Sequence, residues 1–363
     1  MGHVYRAVQW NANKVAYDLA LAVGAGSYIA IFLAASLLLV DPAHRVSPAI
    51  LLIRALGTCA FLMLTVILAI GPLARLDARF LPLLYNRRHF GVMTFCIVAL
   101  HFLVVLAWYH GSGALNPFVS LFVSNPRYDS FVGFPFEILG LAAFVVLLLM
   151  AATSHDFWLA TLSPAVWKSL HMLVYPAYGL ICLHVALGFL QDEVEPIYVG
   201  ATIASFAIVG GLHVLAGRKA AALDRSVAPE DGPPARSPSS ASAEAGWLAV
   251  GPAADIPEGC AKVVTPPQGE AIAVFRYDGK VSAVSNLCAH QMGPLGEGRI
   301  VDGCITCPWH GYQYLPETGA SPPPFTERIA TYRVRVVDGD VYVDPAPLAP
   351  GTRVEPALIG EKA

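Results

Sequence analysis

Two short stretches in the last quarter of the chain each combine a cysteine with a histidine, as Cys288-x-His290 and Cys307-x-x-His310. Together they offer two thiolates and two imidazoles, a donor set that suits zinc. It also suits a [2Fe–2S] cluster in which histidines replace cysteines on one iron. Zinc fingers with this set take both cysteines from one knuckle and both histidines from another. Here each stretch gives one of each, which favours a pair of irons, with the cysteines on one and the histidines on the other.

Three histidines, His101, His171 and His184, lie inside strongly apolar segments. A histidine within a membrane span is costly unless its ring is satisfied, so each is a functional candidate. Two neutral imidazoles from facing helices are what a bis-histidine b-type haem needs. We expect His101 and His184 at comparable depth, because they follow the basic residues Arg88 and Lys168 by about 20 and 24 Å of helix.

Two other polar residues of these segments have more than one interpretation. His171 is expected close to the start of its span, where it either ligates haem or bonds a neighbouring carbonyl or a haem propionate. Arg54 is expected in the outer half of the second span, where it either binds a haem propionate or extends its charged head toward water.

The composition requires a membrane environment for most of the chain. Hydrophobic residues make up 56% of the 363 residues and charged residues 13%, whereas about a quarter of a soluble domain is charged. The formal net charge of -3 and the absence of a basic cluster argue against a nucleic-acid partner. Membrane lipid is the expected surrounding.

Six apolar segments predict a bundle of six membrane-spanning helices, since about 20 apolar residues cross the hydrocarbon core as helix. The fourth segment is the shortest. The predicted spans are 19–40, 49–70, 90–108, 136–152, 170–190 and 197–216.

The distribution of lysine and arginine predicts that both ends of the bundle's chain are cytoplasmic. The loops and chain ends on one side of the membrane are strongly basic. The loops on the opposite side contain only two basic residues, Arg45 and Arg127. The residues on the basic side are Arg6, Lys14, Arg75, Arg79, Arg87, Arg88, Lys168, Arg218, Lys219 and Arg225.

The amino-acid composition of the chain changes after the sixth span. Residues 225–246 are rich in Pro, Ser, Ala and Gly without an apolar period, which indicates a flexible linker. Beyond it, alternating runs such as AIAVFRYDG and YRVRVVDGDVYV predict the strands of a small all-β domain. The expected architecture is multidomain: an all-α six-helix transmembrane bundle at 1–220, a linker at 221–246, an all-β domain at 247–346 and a tail at 347–363.

The all-β segment resembles a Rieske [2Fe–2S] domain, on PLGEG, CPWHGY, SPPPF and its closing strands. The resemblance implies that Cys288, His290, Cys307 and His310 are the cluster ligands.

Within that family the sequence is similar to the ferredoxins of oxygenase systems. High-potential members have a cysteine pair that bridges the two ligand loops and a serine two residues after the second histidine. The corresponding residues here are Gly293, Trp309 and Tyr312, whereas Tyr314 keeps the tyrosine that can donate to a cluster sulfur. Fewer hydrogen bonds to the cluster imply a potential toward the low end of the Rieske range.

The segments RRHFGVMTFCIVALHF and WKSLHMLVYPAYGLICLHVALG resemble the ferric reductase-like transmembrane family. That family includes the haem subunit of the periplasmic methionine sulfoxide reductase system and the NADPH oxidases. The resemblance makes His101, His171 and His184 haem ligands, with His101 and His184 on the outer haem. On an ideal helix His171 and His184 point about 140° apart, and Pro176 between them can kink the helix.

Members with two haems carry a second histidine 13 or 14 residues before the outer one in the third span. Arg88 and Arg87 occupy these positions, and His89 lies one residue further on. One haem b is therefore expected, with a second left open.

The two resemblances together imply a transmembrane electron-transfer oxidoreductase of the bacterial inner membrane, with its Rieske domain in the cytoplasm. A cytoplasmic reductase or ferredoxin is the expected donor, and the route runs through the cluster and haem b to a periplasmic acceptor. The alternatives are a quinone-linked oxidoreductase and a membrane redox sensor. No glycine-rich GxGxxG motif is present for a flavin or NAD(P)H domain.

Overall fold

Two units make up the computed structural model of the chain. The first contains mainly residues 9–72 and 86–214, and the second contains mainly residues 73–85 and 215–363. Within them the structure describes residues 12–84, 86–131, 133–162, 164–192, 196–226, 246–290, 292–309, 311–323 and 325–360.

Helices dominate the described residues as far as Ser226, as the run of apolar segments predicts. A π-helical turn, Leu106–His110, extends the third helix. The helices are α1 Ala12–Leu39, α2 Pro48–Leu76, α3 Arg87–Val105, α4 Pro117–Val123, α5 Phe136–Ala152, α6 Asp156–Thr161, α7 Pro164–Met172, α8 Val174–Leu187, α9 Phe189–Asp192 and α10 Pro196–Ser226.

Five helical segments of the described chain are long and apolar enough to cross a membrane: Lys14–Leu39, Pro48–Leu76, Arg87–His110, Val166–Gln191 and Pro196–Ala222. The predicted count of six is therefore not confirmed. The fourth predicted span coincides with α5, which is apolar but has only 17 residues. Large apolar side chains such as Leu38 and Ile197 are 80% and 73% exposed, which suits a lipid-facing surface. The protein is a multi-pass membrane protein.

The helix that was predicted over 170–190 is interrupted, and Pro176 explains where. Proline has no N–H, so Pro176 cannot bond the carbonyl of Met172 four residues earlier. Helix α7 ends at Met172 and α8 begins at Val174. At the break, Leu173 donates to the carbonyl of Leu170 at 3.2 Å, a tighter turn than the α-helix.

Aromatic contacts hold the helices of the first unit together. Between α2 and α8, the rings of Phe61 and Tyr178 stack with centroids 5.9 Å apart, and the Tyr178 hydroxyl lies 3.0 Å from that of Thr65. Between α3 and α5, Phe144 stacks on Phe102 with centroids 4.5 Å apart. Helices α2, α3, α5 and α8 therefore form the core that surrounds the histidines.

The second unit contains an all-β domain, as the alternating pattern predicts. Its strands form three sheets with the orders β1-β10-β9, β11-β4-β3-β2 and β5-β6-β7, and β8 also pairs with β4. The strands are β1 Leu248–Pro252, β2 Ala261–Val264, β3 Ile272–Tyr277, β4 Lys280–Ser285, β5 Arg299–Val301, β6 Cys304–Thr306, β7 Gln313–Tyr314, β8 Thr331–Tyr332, β9 Val334–Val337, β10 Asp340–Val343 and β11 Ala357–Leu358.

Strand β3 separates two hydrophobic cores because successive side chains of a strand point to opposite faces. Ala273 and Phe275 pack on one side, in the same core as Cys288 and Cys307. Ile272 and Val274 pack on the other side, against β1, β9 and β10. A central strand buried on both faces thus gives the loops that carry the cysteines a rigid base.

Two boundaries differ from those expected from composition. Helix α10 continues to Ser226, into the range predicted as linker, because its last turns are rich in Ala, Arg and Lys, which favour helix. The rest of that range, 227–245, lies outside the described residues. The segment predicted as a tail carries β11, whose Ala357 pairs with Val281 of β4, and Ile359 packs on the second core. Residues 361–363 lie outside the described part.

We expect residues 246–360 to fold as a soluble domain, and residues 246–346 to be markedly less stable. The shorter fragment loses β11 and four backbone hydrogen bonds, those donated by Leu348, Gly351, Val354 and Ile359. At about 1 kcal/mol each, and with a few degrees of melting temperature per kcal/mol, the loss is roughly 10 °C or more. Thermal unfolding followed by circular dichroism tests this. Equal melting temperatures would contradict the assignment of residues 347–360 to the domain.

Candidate functional sites

The first cysteine–histidine stretch forms the tip of a hairpin that closes at the bridge between Leu287 and Pro294. The Cys288 N–H donates to the Gly293 carbonyl at 2.9 Å, and the Met292 N–H donates to the Cys288 carbonyl at 2.7 Å. These two bonds wrap the chain around the thiol. Cys288 is 1% exposed, so a group bound there is shielded from water.

The second stretch repeats this arrangement between β6 and β7. The Cys307 N–H donates to the Tyr312 carbonyl at 2.8 Å, and the Gly311 N–H donates to the Cys307 carbonyl at 2.9 Å. The fourth residue after each cysteine is left-handed, with φ of 58° at Met292 and 76° at Gly311. This backbone conformation costs a residue with a side chain about 1–2 kcal/mol. The two loops are thus near-copies, and glycine relieves the strain in one of them.

Close packing brings the two loops together at Gly293. A methyl group on Gly293 would lie 2.7 Å from the Cys307 sulfur, closer than real Cβ atoms approach, and 3.2 Å from Cγ of Trp309, which is a tight contact. The predicted correspondence of Gly293 and Trp309 across the loops therefore agrees with the geometry. The Trp309 indole therefore fills the space where high-potential members have a disulfide between the loops. All seven cysteines of the chain are free thiols.

His290 stacks on Tyr312, with ring centroids 4.8 Å apart and planes 10° from parallel. The Tyr312 hydroxyl donates to the buried carboxylate of Glu327. Burial, and after it the charge of Glu327, raises the pKa of Tyr312. The fourth predicted ligand, His310, lies outside the described residues. Among the residues that are described, no group of three His, Cys, Asp or Glu is close enough together to hold a metal ion.

Tyr314 stands where the sequence predicts a donor to sulfur. Its hydroxyl oxygen lies 3.3 Å from the Cys288 sulfur, and the ring is fully buried. Burial, and then the neighbouring Cys288, raises the pKa of Tyr314 well above its ordinary value. The phenol therefore keeps its proton and can donate it in a hydrogen bond to the sulfur. Two buried thiols, a partly buried imidazole and this donor fit a [2Fe–2S] group of the Rieske type.

In the helical unit, His101 and His184 are each fixed by a carbonyl of another helix. Nδ1 of His101 lies 3.0 Å from the Ile53 oxygen of α2, and Nδ1 of His184 lies 2.8 Å from the Phe136 oxygen of α5. A carbonyl only accepts, so Nδ1 carries the proton and Nε2 keeps its lone pair. Neither Nε2 has a hydrogen-bond partner among the described residues. This is the tautomer that a metal-ligating histidine adopts, so the pair fits a haem iron.

Helix α5 packs against both of the helices that carry these histidines. His184 lies against Gly140, where a methyl group would be 2.8 Å from the imidazole. One turn further along α5, Phe144 stacks on Phe102, the neighbour of His101 in the chain. Both His184 and the neighbour of His101 are therefore packed against residues 140–144 of α5.

His171 has different surroundings. Its Nδ1 bonds the Trp167 carbonyl of its own helix at 3.0 Å, and its ring stacks on the Trp167 indole with centroids 3.8 Å apart. Its Nε2 lies 3.4 Å from the Ser154 hydroxyl. This geometry favours the interpretation that His171 bonds a neighbouring backbone carbonyl over the interpretation that it ligates haem. The guanidinium of Arg54 lies over the ring of Phe189 at 5.3 Å.

His89 has a carboxylate partner. Its Nδ1 lies 2.7 Å from Oδ2 of Asp18 on α1, and Asn86 donates to the other carboxylate oxygen at 2.6 Å. Both side chains of this contact are about one-fifth exposed. The pair links α1 to the start of α3.

Sequence reasoning missed the groups that orient the histidines and tune the thiol loops. The acceptors Ile53 and Phe136 act through backbone carbonyls, which give no residue-type signal. Glycine within an apolar helix was the available signal for Gly57 and Gly140, since it lowers helix propensity without an evident reason. Glu327 follows the SPPPF motif between the exposed residues Thr326 and Arg328, so no signal in the sequence indicated that its side chain is buried.

Comparison with known proteins finds relatives of both the helical unit and the all-β domain. The family model of the Rieske [2Fe-2S] domain matches residues 246–333, and that of the ferric reductase like transmembrane component matches residues 56–182. The heme-binding subunit MsrQ of the protein-methionine-sulfoxide reductase of Caulobacter vibrioides is 32% identical over 158 residues, 43% of this chain and 70% of the relative. The anthranilate 1,2-dioxygenase ferredoxin subunit of Burkholderia cepacia is 42% identical over 74 residues, 20% of this chain and 68% of the relative.

Among solved structures, the Sphingomonas yanoikuyae B1 ferredoxin is 33% identical, with a TM-score of 0.26, over 27% of this chain and 98% of the other. The helices, the thiol loops and the matches to the two family models and to the heme-binding subunit together define a membrane oxidoreductase of the electron-transport class. The chain belongs to the ferric reductase-like transmembrane family and carries a C-terminal Rieske [2Fe–2S] domain.

Replacing His101 or His184 by alanine should remove the haem absorption band, because either change would take away one of the two nitrogens proposed to hold the iron. His171→Ala should retain most of the haem, since both of its ring nitrogens face protein groups. Optical spectra of membranes, normalised to the EPR signal of the cluster, measure this. Haem loss in His171→Ala with full retention in His184→Ala would reverse the assignment.

Two substitutions near the thiols should move the cluster potential in opposite directions. Tyr314→Phe removes a hydrogen bond to sulfur, which destabilises the reduced form, so the potential should fall. Glu327→Gln removes a buried negative charge, so the potential should rise, in each case on the order of tens of millivolts. Glu355, whose side chain is 78% exposed, provides the control Glu355→Gln. EPR-monitored redox titration measures the cluster potential of all three variants. Shifts of the same sign in Tyr314→Phe and Glu327→Gln would contradict the roles assigned to the two side chains.

Proposed function

We propose that the protein transfers electrons across a bacterial inner membrane, from a cytoplasmic reductase or ferredoxin to a periplasmic acceptor. When bound, a [2Fe–2S] cluster and haem b supply the one-electron carriers of this route. The observation that carries the proposal is the pair His101 and His184, both with Nδ1 bonded to a carbonyl and Nε2 left for a metal. They occur in the same chain as two buried thiol loops.

On the donor side, Cys288, His290, Cys307 and His310 would hold the cluster. Gly293 lets the two loops approach, and Trp309 covers the gap between them. One donor to sulfur, Tyr314, and one buried carboxylate, Glu327, favour a potential at the low end of the Rieske range. This supports the cluster as electron acceptor from a ferredoxin-type donor and as donor to the haem.

Within the second unit, the second thiol loop lies next to the last turn of α2 and the segment that follows it. A methyl group on Gly311 would lie 3.9 Å both from Cγ of Arg75 and from Cδ1 of Leu84. Leu84 is fully buried, whereas its neighbour Leu83 is 40% exposed. Lys219 of α10 donates to the carbonyls of Arg75 and Leu76 at 3.1 and 3.0 Å and so fixes the end of α2. These contacts support residues 73–84 as the docking segment for the loop next to His310.

In the membrane, His101 and His184 would hold one haem b. A second haem would need His171 and His89. His171 already bonds Trp167 and Ser154, and His89 bonds Asp18. These contacts favour a single haem.

Quinone-linked chemistry is the second candidate, and the Asp18–His89 pair favours it. Quinone reduction consumes protons, and an acid paired with an imidazole at a helix end can deliver them. The docking of a Rieske loop also suits a membrane redox sensor, which would change its state after one or two electrons and then stop.

Reconstituted vesicles with ferricyanide trapped inside and dithionite outside separate these functions. The proposed function predicts sustained reduction of the trapped ferricyanide over many turnovers without added quinone. Leu84→Glu should slow turnover several-fold because it buries a charge at the docking segment, while Leu83→Glu should have little effect. The cluster EPR signal and the haem spectrum of both variants should match those of the unmodified protein.

Reduction that stops after one or two electrons would support the sensor instead. If reduction required added quinone, and if this quinone-dependent activity disappeared in Asp18→Asn, the quinone-linked function would be supported. Equal turnover in the two leucine variants would remove residues 73–84 from the route.

A further inference from the structure

The same local arrangement occurs at both candidate haem ligands, on two different pairs of helices. His101 bonds the Ile53 carbonyl, and the residue four positions after Ile53 is Gly57. His184 bonds the Phe136 carbonyl, and the residue four positions after Phe136 is Gly140.

Both glycines touch the imidazole rings directly. A methyl group on Gly57 would lie 3.0 Å from Cε1 and 3.3 Å from Nδ1 of His101. A methyl group on Gly140 would lie 2.8 Å from both atoms of His184. Real Cβ atoms essentially never approach within 3.0 Å, so the ring of His184 could not stay where it is.

Helix geometry explains the spacing of four. A helix carbonyl at position i already accepts the N–H of residue i+4 and has one lone pair left. The side chain of residue i+4 lies over residue i on the same face of the helix. A ring that approaches the spare lone pair from a neighbouring helix therefore meets the Cβ of residue i+4, and glycine alone leaves room.

Other histidines of the helical unit lack this notch. His171 and His213 each bond the carbonyl four residues earlier in their own helix, at 3.0 and 2.8 Å. His171 also lies within reach of the Met150 carbonyl on α5, but the residue four positions after Met150 is Ser154 and not glycine. The combination of a cross-helix carbonyl with glycine four residues on is thus found at His101 and His184.

We propose that Gly57 and Gly140 are positioning residues for the haem ligands. Each opens a notch in which a carbonyl of the adjacent helix holds the Nδ1 proton, and the notch directs Nε2 away from that helix toward the iron. The inference rests on the proposed haem ligation by His101 and His184, and it adds the groups that set the ligand orientation.

The test compares Gly140→Ala and Gly57→Ala with Gly179→Ala. Gly179 lies on α8, the same helix as His184, and a methyl group there meets nothing within 4 Å. Haem absorption in membranes is divided by the EPR signal of the cluster in the same sample, so that poor accumulation does not mimic haem loss. The spin state and the haem midpoint potential are recorded as well.

Gly140→Ala should lower haem affinity about 10-fold or more, as loss of a ligand's orienting partner does, and should convert part of the remaining haem to high spin. Gly57→Ala, whose contacts are longer, should retain more haem but shift its midpoint potential. Gly179→Ala should match the unmodified protein in all three measurements.

An unchanged haem ratio, spin state and potential in both Gly57→Ala and Gly140→Ala would overturn this inference. If His184→Ala also retained its haem, the ligand assignment would fail as well. If His184→Ala lost its haem, the failure would belong to the glycines alone. Equal losses in all three glycine variants, including Gly179→Ala, would likewise overturn it, because they would reflect helix packing rather than the notch.

Discussion

An imidazole N–H inside a bundle of apolar helices must find an acceptor, because an unsatisfied polar group there costs several kcal/mol. The arrangement of the helical unit follows from this constraint. Helix carbonyls are already engaged within their own helices, so the acceptor is the second lone pair of Ile53 or Phe136. To reach it, α3 must lie directly against α2, and α8 directly against α5. The aromatic contacts of Phe102, Phe144 and Tyr178 then fill the space that remains.

The Rieske domain also uses backbone groups to hold its functional side chains in place. Its two thiols are surrounded by backbone hydrogen bonds that each loop makes to itself, and Gly293 provides the close approach between the loops. In both units the side chains that can bind a redox group are common types. What gives them direction is the backbone around them and the absence of a Cβ at one position.

Residue type and spacing were sufficient to predict the parts of the molecule that depend on side chains. The apolar helices, the alternation in β3 and the break near Pro176 belong to that group. The carbonyls of Ile53 and Phe136 could not be predicted, since every residue has one. Strand β11 has two residues, too short for an alternating pattern. Helix α10 ends later than the predicted span because Pro and Ser become frequent only after Ser226.

The pairing of β11 with β4 places a strand from near residue 357 beside one from near residue 281. A chain emerging from the ribosome exposes β4 long before β11, and domains form as their segments are completed. The β-domain therefore reaches its full stability only after its last strand is made, when the helices that precede it have already left the ribosome. A cluster inserted after that point would enter a protein whose helices are already in the membrane.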